Sequence, residues 1–317
     1  MSAQYAISSE TRGTVEIFTL RQGEITAAVA PAWGNNCFLF QAQEPVLEAV
    51  PFDEYAKRPT SYGIPILFPF PNRLRDGGFT LQGQRYPIDP PRHGFVRDKP
   101  WQILDKGASD TAGAWLTARV DASRYAEQIL RQFPFPFQLQ VTYRLRENTL
   151  FMETIAHNTG DRDMPLGFGI HPYFRRPAQG TLLVPARKRW ELADSLPTGK
   201  LVDVTGAYDL RQATDVTALE LDDIYTDVIP DADGMVRCVL EDQQARTQTI
   251  VAFDPALFPH VVIYTAPAPR RAICIEPYTC PTDAFNLQEQ GIESNVIMLP
   301  AGSSKRFDIA MTTRSMA

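Results

Sequence analysis

A chain of 317 residues, 44% hydrophobic and 21% charged, has enough apolar side chain to bury a sizeable core and has neither a disordered nor a membrane composition. A net charge of −6 argues against the clustered positive footprint that nucleic-acid binding requires, and a neutral small molecule is the easier partner. Length allows two domains, but β-sandwiches of more than roughly 200 residues fold as one unit. No linker, repeat or composition break interrupts 1–317, so one domain is expected.

The first ten residues lack a basic start followed by an apolar run, and no apolar stretch is long enough to cross a bilayer, so a cytoplasmic protein without membrane contact is expected. Cys37, Cys238, Cys274 and Cys280 lack Cys-x-x-Cys spacing and read as reduced thiols.

In chain order, 15–20 and 24–29 flank Arg-Gln-Gly and read as a hairpin. Residues 64–71, Ile-Pro-Ile-Leu-Phe-Pro-Phe-Pro, read as the entrance to a binding loop, because proline cannot donate to a central ladder. The run ends at Asn72 and Arg73, where a guanidinium presents directional donors to hydroxyls or carboxylates; alone, Arg73 reads equally as a surface arginine. A second hairpin joins 79–81 to 85–88 across Gln-Gly-Gln. His93 follows two prolines and precedes a glycine, in a rigid loop that either aims its imidazole at a ligand or bonds it to the backbone.

Residues 122–132 predict a short connecting helix behind an Asp121 cap, stopped by Phe-Pro-Phe-Pro-Phe. Phe137, Leu139, Val141, Tyr143 and Leu145 then alternate with polar residues, as a half-buried strand requires, and 146–148 turns into 149–156. His157 and His260 read as structural. In Gly-Phe-Gly-Ile-His-Pro-Tyr-Phe at 167–174, the glycines permit close backbone approach and Pro172 bars helix at the residue before it. His171 is therefore expected in extended chain, as a general acid or base or as a hydrogen-bonded core histidine.

Residues 221–226, with Asp222 and Asp223, are able to accept hydrogen bonds from a ligand's hydroxyls, although an acidic surface turn is the commoner outcome for such a stretch. Glu276 closes an apolar strand-like run at 272–279, so desolvation should raise its pKa toward a useful base, unless Arg271 or Arg73 pairs with it. No His-x-x-x-His, His-x-His, Gly-x-Ser-x-Gly or glycine-rich phosphate loop occurs, so neither metal nor cofactor is expected. The fold class these patterns predict is all-β, a large antiparallel sandwich with few short helices.

Taken in order, Phe-Pro-Asn-Arg at 70–73, His-Gly-Phe-Val-Arg at 93–97, Gly-Ile-His-Pro-Tyr-Phe at 169–174, Pro-Thr-Gly at 197–199, and Glu-Pro-Tyr-Thr with Asp-Ala-Phe-Asn at 276–286 resemble the aldose 1-epimerase (galactose mutarotase) family. The resemblance implies a galactose mutarotase-like supersandwich with an open cleft for an aldohexose. It also implies Glu276 as general base and His171 as general acid, with Asn72, Arg73, His93 and Asp222 orienting hydroxyls. Asp223 stays open as the alternative to Asp222, and the segment lacks the Asp-His pair usual in the family. A monomer and a homodimer both remain open. Three other readings stand beside this one: a hexose-6-phosphate 1-epimerase, suggested by Arg75, Arg92, Arg97, Arg175 and Arg176; a non-catalytic sugar-binding protein; and, more remotely, a glycoside hydrolase.

Overall fold

The alternation along 137–145 becomes the strand Phe137–Arg146, whose apolar residues are buried while Gln138, Gln140 and Arg144 are only partly covered. It pairs in unbroken register with Thr149–Asn158 and with Gly113–Asp121. These strands belong to a nine-stranded sheet that runs from Thr214–Asp215 through Gly180–Leu183, Val236–Asp242, Thr247–Phe253, Ser304–Ser315, Thr149–Asn158, Phe137–Arg146 and Gly113–Asp121 to Gln102–Ser109. The computed structural model describes residues 4–316. Among them every strand ladder is antiparallel, as predicted, and the helices are short.

An eight-stranded sheet packs against this one. Its main path is Leu196–Asp203, Ala186–Ala193, Asp222–Val228, His260–Thr265, Ala272–Tyr278, Gly169–Ile170 and Ile66–Leu67, and Tyr173–Arg175 adds to Ala272–Tyr278. Period two divides its side chains between two faces. Tyr225, Val261, Ile263, Ile273 and Ile275 join the main core with Phe137, Leu139 and Val141. The opposite face carries a smaller apolar floor of Leu67, Trp190, Ile224, Val262, Tyr278 and Leu287. This second face is where the polar residues of interest lie.

The first hairpin forms as Val15–Gln22 with Ile25–Ala30, inside a four-stranded sheet, and the second as Gly78–Leu81 with Gln84–Pro87. Three local expectations change. The connector after Asp121 is a 3-10 turn, Ala122–Tyr125, followed by a π-helical turn, Ala126–Leu130. Asp121 does cap it, through the Ser123 N–H at 2.9 Å, but Arg131 donates back to the Ala126 carbonyl and widens the last turn. The proline-rich run supplies Ile66–Leu67, an edge strand, where a missing donor does no harm. Residues 222–226 are not a surface turn: Asp222–Val228 is an interior strand, with Asp223 buried against Arg189 at 3.2 Å. No helix among the described residues is long and apolar enough to cross a membrane.

Candidate active site

Two motifs far apart in sequence are joined by one ladder. Gly169 pairs with Tyr278, and Tyr173 pairs with Cys274. The same register, continued through the two residues at which Pro172 interrupts the ladder, sets His171 opposite Glu276. Phe168 and Thr279 tighten the junction, since the Phe168 N–H donates to Thr279 Oγ1 at 2.8 Å and the Thr279 N–H returns to the Phe168 carbonyl at 2.9 Å. Gly169 is required here: a Cβ would lie 2.5 Å from the Tyr278 ring.

The outcome is an imidazole Nε2 3.4 Å from Glu276 Oε1, with both residues buried. Tyr278, two residues beyond Glu276 and on the same strand face, donates its hydroxyl to Glu276 Oε2 at 2.6 Å. Neither Arg271 nor Arg73 forms an ion pair with Glu276. Tyr173 stacks on the His171 ring at 4.4 Å between centroids. Behind it the Arg270 guanidinium lies 4.6 Å from the Tyr173 centroid and 4.5 Å from that of Tyr62, and it pairs with the buried Glu48. His171 is thus held from behind by a layered stack.

The loops above the sheet bring in the remaining residues. Asn72 and His93 both adopt left-handed backbone, with φ of 57° and 63°, and the His93 N–H donates to the Asn72 carbonyl at 2.7 Å. Gly94 follows at φ 65°, where a Cβ would stand 2.0 Å from the Phe68 carbonyl oxygen. Arg92 Nε donates to His93 Nε2 at 3.0 Å, which leaves the His93 proton on Nδ1. Arg73 donates to Asn72 Oδ1 at 3.2 Å and reaches Asp222 Oδ2 at 3.9 Å. The loop is clamped from below by buried Asp283, which accepts from the Arg75 N–H at 2.9 Å and from Asn286 Nδ2 at 2.6 Å.

Asn72, Arg73, His93, His171, Asp222 and Glu276 all line one hollow of about 290 Å³. All six residues selected from the sequence therefore converge. Asp223 points away to Arg189, as expected of the next residue along a strand. His157 ends its strand against Ser303 and Ser304, and His260 bonds Asn295 at 3.0 Å; neither reaches the hollow. Sequence reasoning missed Tyr173, Tyr264 and Tyr278 as lining residues, and it considered Arg92 only as a phosphate ligand. Tyr173 and Tyr278 each stand two residues after a selected one, a spacing that marks the same strand face.

Electrostatics favour uncharged forms. Burial, followed by the Arg92 charge, pushes His171 down to about 3. Burial pushes the Glu276 carboxyl well above its usual range, an effect that Tyr278 opposes through its hydrogen bond and the Asp222 charge reinforces. His93 is likewise held well below its usual value by burial and by His171. His171 Nδ1, His93 Nδ1 and Glu276 Oε1 are buried without a hydrogen-bond partner among the described residues. Such atoms are costly unless a ligand satisfies them. Cys274 Sγ lies within 4.8 Å of the His171 and Glu276 donor atoms, near enough for the three to meet at one cation. Burial keeps its thiol protonated, however, and a thiol is a poor ligand beside a thiolate.

Comparison with known proteins gives a consistent picture. A family model described as aldose 1-epimerase matches residues 16–312. The uncharacterized protein YihR of Escherichia coli (strain K12) is 27% identical over 255 residues, 76% of each chain. A galactose mutarotase-like protein from Clostridium acetobutylicum superposes with a TM-score of 0.88 at 23% identity, covering 99% of both chains. The galactose 1-epimerase from Lactobacillus acidophilus NCFM does so with a TM-score of 0.79 at 16% identity, covering 100% of both.

Proposed function

The chain belongs to the aldose 1-epimerase family, isomerases that act on carbohydrates, and from that premise we propose that it interconverts the α and β anomers of a free hexose. The observation that carries this reading is the facing of His171 Nε2 and Glu276 Oε1 at 3.4 Å, on the wall of a hollow of about 290 Å³.

In the proposed mechanism Glu276 takes the proton of the anomeric hydroxyl while His171 gives one to the ring oxygen. The bond from C1 to the ring oxygen breaks with its electron pair going to that oxygen, and C1 becomes the aldehyde carbon. Rotation about the C1–C2 bond and reclosure with the roles exchanged yields the other anomer. Burial holds the empty pair as neutral carboxyl and neutral imidazole, so arming it requires only that Glu276 pass its proton to His171. The pair carries one shared proton from about pH 3, where His171 loses its own, up to the raised value of Glu276. Because ring opening and closure are equivalent, groups that each serve as donor and acceptor suit the reaction, with acid–base assistance of about 10²–10⁴-fold. Arg73, Asn72, His93 and Asp222 supply donors and acceptors for the hydroxyls.

Among the arginines that suggested a phosphorylated hexose, Arg75 is taken up by Asp283, Arg175 by Asp242, and Arg176 by the carbonyls of Val216 and Leu219. Arg92 alone of the five lines the hollow. This supports the free sugar as substrate. Polarimetry on freshly dissolved α-glucose and α-galactose tests the proposal, with mutarotation expected to exceed the buffer rate. No acceleration across a panel of aldoses would overturn it, and sugar binding without turnover would return the protein to the class of binders.

A further inference from the structure

Two Arg-Arg pairs, at 175–176 and at 270–271, stand far apart in a chain whose net charge is −6. The fold sets them side by side. Arg175 pairs with Ala272 at the end of the ladder between Tyr173–Arg175 and Ala272–Tyr278, and just past it the Arg176 N–H donates to the Arg271 carbonyl at 2.8 Å. The four side chains line one hollow of about 460 Å³, together with Gln244 and with Glu48 as its one carboxylate among the described residues. This hollow shares no lining residue with the one that holds His171 and Glu276.

Four guanidinium groups gathered in this way repel one another, and carboxylates offset only two of them. Arg175 Nη2 donates to Asp242 Oδ2 at 2.7 Å, and Arg270 Nε to Glu48 Oε2 at 3.1 Å. Arg176 spends its Nε and Nη2 on the carbonyls of Val216 and Leu219, at 3.0 and 2.8 Å, which satisfies donors without cancelling a charge. The charges of Glu220 and Asp215 reach Arg176 from outside the hollow, and that of Arg271 acts against them. Arg271 is exposed and makes no side-chain hydrogen bond or ion pair among the described residues. A concave wall with surplus guanidinium charge suits a multiply charged oxyanion, and guanidinium forks match phosphate oxygens in pairs. The volume leaves room beside a phosphate group for an organic remainder.

One layer of side chains separates this hollow from the proposed catalytic pair. Arg270, on its wall, packs 4.6 Å from the centroid of Tyr173, whose ring stacks on His171 at 4.4 Å. Beyond burial, the charges of Arg92, Arg97 and Arg270 disfavour a proton on His171. An anion set against Arg270 offsets one of those charges. It thereby favours the passage of the Glu276 proton to His171 with which the proposed reaction starts.

We propose that the arginine-lined hollow binds a small phosphate compound, apart from the sugar, and that this compound acts as an activator through Arg270. The site stands on its own geometry; the activation rests on the anomerase reading.

Calorimetry and thermal unfolding at fixed ionic strength test the site, with inorganic phosphate, pyrophosphate, glycerol 3-phosphate and citrate set against chloride, on the parent, Arg271→Gln and Gln244→Glu. Both substitutions fall at exposed positions outside the sugar hollow. At least one phosphate compound should bind saturably and raise the unfolding temperature. Each variant should weaken that binding about tenfold. Glycerol 3-phosphate bound more tightly than inorganic phosphate assigns the site to a phosphate ester, and the reverse order assigns it to the free ion. The parent's kcat on glucose should rise along the binding curve, while both variants keep the basal rate, which also reports that they are folded. Failure of every phosphate compound to bind, binding that both variants leave unchanged, or citrate bound more tightly than every phosphate would overturn the site. Binding without a rise in kcat of an active enzyme would overturn the activation. Binding by a protein inactive on every sugar would sink the anomerase reading and leave the site standing.

Discussion

Phe137–Arg146 and Ala272–Tyr278 are both interior strands of antiparallel sheets, and both alternate, yet they do different things. The first buries Phe137, Leu139, Val141, Tyr143 and Leu145 and leaves most of its polar residues partly in water. The second is buried along its whole length: Ile273 and Ile275 enter the core, while Glu276 and Tyr278 line the hollow and Cys274 lies beside Glu276. At the second face of its sheet, His171 Nδ1, His93 Nδ1 and Glu276 Oε1 are buried without partners among the described residues, at a cost in stability, and all three belong to residues that line the hollow.

The sharpest way to break this comparison is Glu276→Gln. Turnover should fall about 10²–10⁴-fold. The folded state keeps the Glu276 proton at pH values where the unfolded chain has lost it, so stability declines as pH rises above 4.5 toward the raised folded value. The amide escapes this penalty. Thermal unfolding should therefore show the variant more stable than the parent by a margin that grows between pH 5 and pH 8, and a variant less stable at pH 8 would contradict the account. His171 acts in the opposite pH direction: its folded value of about 3 lies below the unfolded 6.5, so stability is lost as pH falls through that interval.

Phe137→Ala makes the complementary cut. Urea unfolding should register a loss of about 3–5 kcal/mol from the cavity, with turnover per folded molecule unchanged at low temperature. A large loss of kcat in folded protein would show that the two sheets are not separable in this way. Smaller effects should come from the stack behind His171. In Arg270→Met with Glu48→Gln, one of the charges that depress the imidazole is gone, so the acid limb of the pH–rate profile should move to higher pH with KM little changed. An unmoved limb would reduce Arg270 to packing. Tyr278→Phe removes one hydrogen bond and should lower kcat roughly 2–10-fold, the equivalent of about 0.5–1.5 kcal/mol. It should also move the alkaline limb upward, because that bond holds Glu276 down.

Much of this was legible in the chain. Alternation and the turn at 146–148 pointed to two adjacent strands of the nine-stranded sheet, Phe137–Arg146 and Thr149–Asn158, and turn residues to both hairpins, because those signals are local. His171 and Glu276 stood out as polar residues inside apolar, backbone-constrained runs. What stayed hidden depended on pairing between distant segments. Nothing near Asp222 says that its strand is covered on both sides by Ala186–Ala193 and His260–Thr265, so an acidic surface turn was a fair expectation and a wrong one. Nor does anything near Arg75 reveal that it serves Asp283, 208 positions away. Likewise the 3-10 and π turns after Asp121 reflect a connector tied down at both ends, not helix propensity.

The strand Ser304–Ser315 lies in the middle of the nine-stranded sheet, hydrogen-bonded to Thr149–Asn158 on one side and Thr247–Phe253 on the other. A ribosome making this protein exposes both of those edges long before it delivers the strand that separates them. During synthesis the nascent chain therefore carries two open β-edges, the kind that recruit one another between molecules. A product terminated ahead of residue 304 should accumulate in inclusion bodies rather than as a shortened enzyme.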